Sequence, residues 1–165
     1  MAVELRRRGY RTYLDPDGRD YFDLAARKGE EVGLIEGKVG RGSEVLGQAL
    51  RRRPWADWGA VVVSPAGLAD RLVARTAGRR AGAVGVWAYE GGRAREVRPA
   101  VRWALGSPDP FSATRARFRN HLLDLDRGLL PAEVGWSGVV GEVRRASRGR
   151  GFAEWRLDEL DPDRS

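Results

Sequence analysis

The sequence predicts an α/β fold: a mixed central β-sheet flanked by helices, followed by a small helical, winged-helix-like appendage. Three observations predict it. Strand-like and helix-like segments follow one another in the order β-β-β-α-β-α-β-β, which builds a sheet with both antiparallel and parallel neighbours. "GAVVVS" (59–64) is a nearly continuous run of β-branched residues, as a strand buried on both faces requires. Beyond "GSPDP" (106–110) the strand pattern gives way to charged helical segments. The expected division is an α/β domain over 1–106 and an appendage over 107–165.

Each element has a local cause. Residues 2–8 ("AVELRRR") form a short helix that Gly9 ends. "YRTYL" reads as a strand and "DPDG" (15–18) as a turn. Strands at Asp20–Arg27 and Val32–Val39 enclose the turn "KGEE". Ser43 is placed to N-cap a helix from Glu44 to about Arg53, and Pro54 stops it. A further helix, Ala66 to Arg79, carries Leu68, Leu72 and Val73 at helical spacing. "AVGVWAYEGGRAREVRPA" (83–100) is a hairpin turning at Gly91-Gly92. In the last third, 111–127 and 137–147 read as helices and 148–160 as an arm or β-wing.

Composition narrows the function classes. With 165 residues the chain can bury a core without staples, and it has no cysteine, which excludes disulfides, thiolate nucleophiles and thiolate metal sites. No apolar run approaches the roughly 18 residues of a membrane span, and "MAVELRRRGY" lacks a signal-peptide core. A cytoplasmic protein without a membrane partner is therefore expected. The net charge of +7 favours a polyanionic partner, most often nucleic acid, although an arginine-rich composition alone produces the same excess.

Some apparent motifs fail on spacing. "GLIEGKVG" has three residues between Gly33 and Gly37 where a phosphate loop needs four, and Val39 follows the lysine where a Ser or Thr should. "DPDGRDYFD" has its glycine fourth rather than sixth, so it reads as a hairpin turn, not a calcium loop. His121 has no second histidine to share a metal and reads as a helix residue.

One constellation survives. A turn centred on Gly29-Glu30 sets Arg27 opposite Val32, Ala25 opposite Leu34 and Asp23 opposite Glu36. Opposed residues share a face with Cβ atoms roughly 5 Å apart, and Lys38 joins that face by alternation. Two facing carboxylates in an apolar run call for positive charge between them. A hard divalent cation supplies it, and a solvated Lys–Glu surface pair is the plainer alternative. Among 30 basic residues only Lys28 and Lys38 are lysines. A compact ammonium can orient or deprotonate a water where a guanidinium cannot.

Asp23, twelve intervening residues, then Glu36-Gly37-Lys38 resembles the D…(D/E)xK core of the PD-(D/E)XK nuclease superfamily. The element order over about residues 2–100 is similar to its restriction-endonuclease-like and Holliday-junction-resolvase-like members. The resemblance implies a metal-dependent DNA endonuclease. Asp23 and Glu36, with the Gly37 carbonyl, would ligate Mg²⁺ (or Mn²⁺), Lys38 would position the attacking water, and Gln48 would orient Lys38 or the phosphate. Phe22 stands where the naming proline would be, and Glu4 is the candidate for a first-helix glutamate. DNA is the implied partner, with RNA and a homodimer left open. Phosphate contacts would come from Arg6, Arg7, Arg8, Arg41, Arg51, Arg52, Arg53, Arg144, Arg145, Arg148 and Arg150, which carry no sequence readout by themselves. The tryptophans, six in all, read as core rather than base-stacking platforms. Competing readings are a non-catalytic nucleic-acid-binding module and a protein-binding accessory subunit.

Overall fold

The computed structural model describes residues 1–14, 22–40, 42–103 and 109–127. Helix α1 (Ala2–Arg7) and strand β1 (Arg11–Leu14) precede β2 (Leu24–Lys28) and β3 (Glu31–Val39). Next come α2 (Gly42–Arg51), β4 (Trp58–Ser64), α3 (Ala66–Thr76), the hairpin β5 (Gly85–Glu90) and β6 (Arg93–Arg98), and α4 (Ser112–Asp126). The strands form one sheet in the order β1-β2-β3-β4-β5-β6. Pairing is antiparallel at both ends and parallel for β3–β4 and β4–β5. This is the mixed α/β architecture expected. The helix expected at 137–147 and the arm or β-wing at 148–160, with "DPDG", lie outside the described residues.

Sequence chemistry explains the order. Two parallel crossovers, through α2 and α3, step the same way along the sheet, and right-handed connections then put both helices on one face. That face carries Val61 and Val63 of β4, Val84 beside β5, and Val86 and Ala88 within it. They pack on Val45, Leu46, Ala49 and Leu50 of α2 and on Leu68, Ala69 and Leu72 of α3. On the β2–β3 side of the sheet, Ala25, Val32 and Leu34 meet Phe22, Trp55 and the α4 residues Phe118 and Leu122. The helix at the start of the C-terminal third thus contributes to the core of the α/β sheet. Leu24, Ala26, Ile35, Trp58, Ala60 and Trp87 form a separate cluster with Leu5 of α1. The alternation of side chains along β3 assigns Ile35 to the face opposite Leu34.

The turns follow their glycines. Gly91 and Gly92 both have positive φ (56° and 76°), the requirement of a two-residue hairpin turn whose twist matches its strands. Several boundaries differ from expectation: α3 ends at Thr76 rather than Arg79, and α2 at Arg51 rather than Arg53. β2 begins at Leu24, which pairs with both Leu14 and Ile35, so Asp23 lies just outside the strand. α2 begins at Gly42, so Ser43 lies inside the helix rather than at its cap. All four described tryptophans (Trp55, Trp58, Trp87 and Trp103) are buried. Among the described residues no helix is long and apolar enough to cross a membrane.

A buried aspartate ties α4 to the sheet, and a buried histidine sits on the same helix. Asp57 accepts the Val32 N–H at 2.9 Å and the Arg102 guanidinium at 3.1 Å, with Arg115 of α4 at 3.6 Å. His121 is 6% exposed, and burial holds its imidazole below the ordinary histidine value against a smaller upward pull from Asp124. Below about pH 6.5 the unfolded chain then binds a proton that the folded chain refuses, so stability falls as pH drops through that window. Replacing His121 by Gln should flatten this slope relative to wild type in urea unfolding between pH 7.5 and 5. A wild-type slope unchanged by the substitution would show that another group titrates.

Candidate metal and phosphodiester site

The site grows from the β2–β3 register. Leu24 pairs with Ile35, Ala25 with Leu34 and Arg27 with Val32, as the turn predicts. Asp23 lies one residue before the first of these pairs, and its charge acts on Glu36. Asp23 Oδ2 accepts the Gly37 N–H in a very short hydrogen bond. That bond shows the Gly37 peptide edge turned toward Asp23. Because the N–H and C=O of a strand residue point the same lateral way, the Gly37 carbonyl is turned there too.

Glu36 is a buried carboxylate on the face covered by α2. Arg52, just past the end of α2, donates its Nε–H to Glu36 Oε1 at 2.6 Å. The two side chains are only 11% and 6% exposed. Burial raises the Glu36 carboxyl above the ordinary carboxylate range; Arg52 opposes this, nearby Asp23 adds to it, and Arg51 pulls it down. Lys38 is half-buried and two residues further along the same face of β3. Gln48 is half-buried on α2, one turn before Arg52, so helical spacing places both on one stripe of the helix.

The structure therefore brings together Asp23, Glu36 and the Gly37 main chain, while Lys38 lies further along β3 and Gln48 on α2. It disperses the expected phosphate contacts. Arg51 is exposed. Arg52, by contrast, is the counter-ion of Glu36, a role its place in an arginine run does not reveal. Arg53 is half-buried with its guanidinium 5.3 Å from the Trp103 ring centre. Arg6 donates to Thr12 at 2.7 Å, Arg7 pairs with Glu4 at 3.7 Å, and Arg8 pairs with Glu96 at 2.7 Å and Glu4 at 3.3 Å. Helix α1 packs on the face opposite Glu36, so Glu4 stays apart from the site. Arg41, Arg144, Arg145, Arg148 and Arg150 lie outside the described residues.

The donor set can be weighed for a metal. Among the described residues no three His, Cys, Asp or Glu side chains gather as ligands. Two carboxylates and one main-chain carbonyl are what the residues offer, and that all-oxygen set suits a hard cation that keeps several waters, such as Mg²⁺. A cavity on the opposite face, lined by Tyr10, Trp58, Trp87, Arg8, Glu31 and Glu96, is a poorer candidate. Its charged walls are already engaged, Arg8 with Glu96 and Glu31 with the Tyr10 hydroxyl at 2.9 Å.

No protein-family model matches the chain, and no curated protein matches it. One solved structure, a protein of unknown function from Silicibacter pomeroyi, is similar at 18% identity with a TM-score of 0.44, over 74% of this chain and 83% of that one.

Proposed function

We propose that this chain is a metal-dependent DNA endonuclease of the PD-(D/E)XK type, built on a restriction-endonuclease-like sheet. The observation that supports the reading is that Asp23 accepts the Gly37 N–H, next in the chain to buried Glu36, and acts on Glu36 by charge. Asp23, Glu36 and the Gly37 carbonyl would hold Mg²⁺, which would supply Lewis acidity toward a phosphoryl oxygen. Lys38, on the same face, orients the water that attacks the phosphorus, and Gln48 orients Lys38 or the phosphate. Arg51 and further basic residues hold the nucleic-acid backbone by charge, without reading bases.

The test incubates purified protein with duplex, single-stranded and branched DNA, and with RNA, under Mg²⁺, Mn²⁺ or EDTA. Expected is cleavage of at least one DNA that needs the metal and disappears in Asp23→Ala. Cleavage that survives Asp23→Ala belongs to a contaminant and removes the reading. One observation favours a second reading: Arg52 already neutralises Glu36, so the buried carboxylate does not require a metal to be tolerated. A nucleic-acid-binding module without catalysis would show salt-sensitive binding and no cleavage of any substrate.

A further inference from the structure

Charge balance around Glu36 raises a question about how a metal gets in. Asp23 and Glu36 bring two negative charges, and the positive charges that act on Glu36 are those of Arg52 and Arg51, so the four side chains balance. A divalent cation among them leaves an excess of two positive charges in a place where Glu36 and Arg52 are about nine-tenths shielded from solvent. Like charges a few ångströms apart at such a site repel by several kcal/mol at an effective dielectric of ~20. Something positive must leave or retreat. Arg52 is the group placed to do so. It sits just past the end of α2 on a long flexible stem, and its Nε–H holds the Glu36 oxygen that a metal would compete for. Arg51 is exposed, and its pull on Glu36 is weaker than that of Arg52.

We propose that Arg52 is the resident counter-ion of this site: divalent metal displaces it from Glu36, and the freed guanidinium becomes available to a phosphodiester oxygen. The proposal rests on the metal-site reading above and adds its regulation. Metal occupancy and the presentation of a phosphate-binding arginine become one event, so either ligand favours the other. Planar, bidentate recognition of phosphate is what an arginine released at this point supplies and a lysine would not.

The direct readout is the Arg52 Nε–H resonance in ¹⁵N-labelled wild-type protein, assigned by its loss in Arg52→Lys. Saturating Mg²⁺ should move it to the position and fast solvent exchange of a free arginine. In parallel, Mn²⁺ titration calorimetry should show Arg52→Gln binding about tenfold or more tightly than wild type, with Glu36→Gln binding weakly or not at all. If Arg52→Gln does not fold, the wild-type resonance still decides. Metal binding with an unmoved Arg52 signal, or weaker binding in folded Arg52→Gln, overturns the displacement while leaving the metal site intact. No Mg²⁺ or Mn²⁺ binding in wild type or Arg52→Gln overturns the metal-site reading and this proposal with it.

Discussion

Lys38→Ala is expected to lower metal-dependent cleavage by about two to four orders of magnitude, the usual worth of a positioned proton-transfer or water-orienting group. The fold should barely notice. Lys38 is half-buried near the end of β3, and surface-side changes of this kind stay within about 0.5 kcal/mol. Metal binding should also persist, because Asp23, Glu36 and the Gly37 carbonyl are untouched. Asp23→Ala should differ on that point and lose both cleavage and metal affinity. Lys38→Arg separates charge from chemistry: a guanidinium keeps the positive charge but not a compact ammonium able to give up a proton, so little activity should return. Full activity in Lys38→Arg would reduce Lys38 to an electrostatic neighbour. Full activity in Lys38→Ala would remove it from the mechanism altogether.

How much of this could be read in advance divides along physical lines. The β2–β3 register was legible because it is set locally: Gly29 accepts the turn conformation (φ 57°), and apolar residues bracket the polar ones at period two. The burial of β4 was legible from "GAVVV" for the same local reason. The partner of Glu36 was not. Arg51, Arg52 and Arg53 are adjacent in sequence, but α2 ends at Arg51, and the turn that follows sends the three to different surroundings. One is exposed, one reaches Glu36 and one lies over Trp103. Which arginine takes which place depends on where α2 crosses the sheet, a tertiary fact that charge counting does not contain. The docking of α4 lies between these cases. Phe118, Leu122 and Leu125 have a helical apolar spacing, but nothing in that spacing names Phe22 and Trp55 as the surface they meet.

Gly33→Ala should destabilise the protein by about 3 kcal/mol or more, at the upper end of overpacking costs. Gly33 and Trp58 are paired across β3 and β4, and a Cβ built at Gly33 falls within the space of the Trp58 indole, against Cε2, Cζ2 and Cη2. The indole cannot retreat easily. It is buried between the sheet and α1, with Tyr10 packed edge-on at 5.7 Å. Working the other way, alanine restricts the unfolded chain more than glycine and so returns about 0.4–1 kcal/mol, too little to offset the clash. For a chain of this size the net loss corresponds to roughly 10 °C in melting temperature. Gly37→Ala provides the contrast on the same strand, since its Cβ would meet only Asp23 Oδ2 at 3.3 Å. It should cost the fold little while disturbing the Asp23–Gly37 contact, and with it metal affinity. Adding Trp58→Leu to Gly33→Ala should recover part of the lost stability, giving a coupling energy of about 1 kcal/mol or more in a double-mutant cycle. Additive effects at these two positions would mean that the indole does not lie over Gly33, and the assignment of Trp58 to the α1 face of the sheet would fall with it.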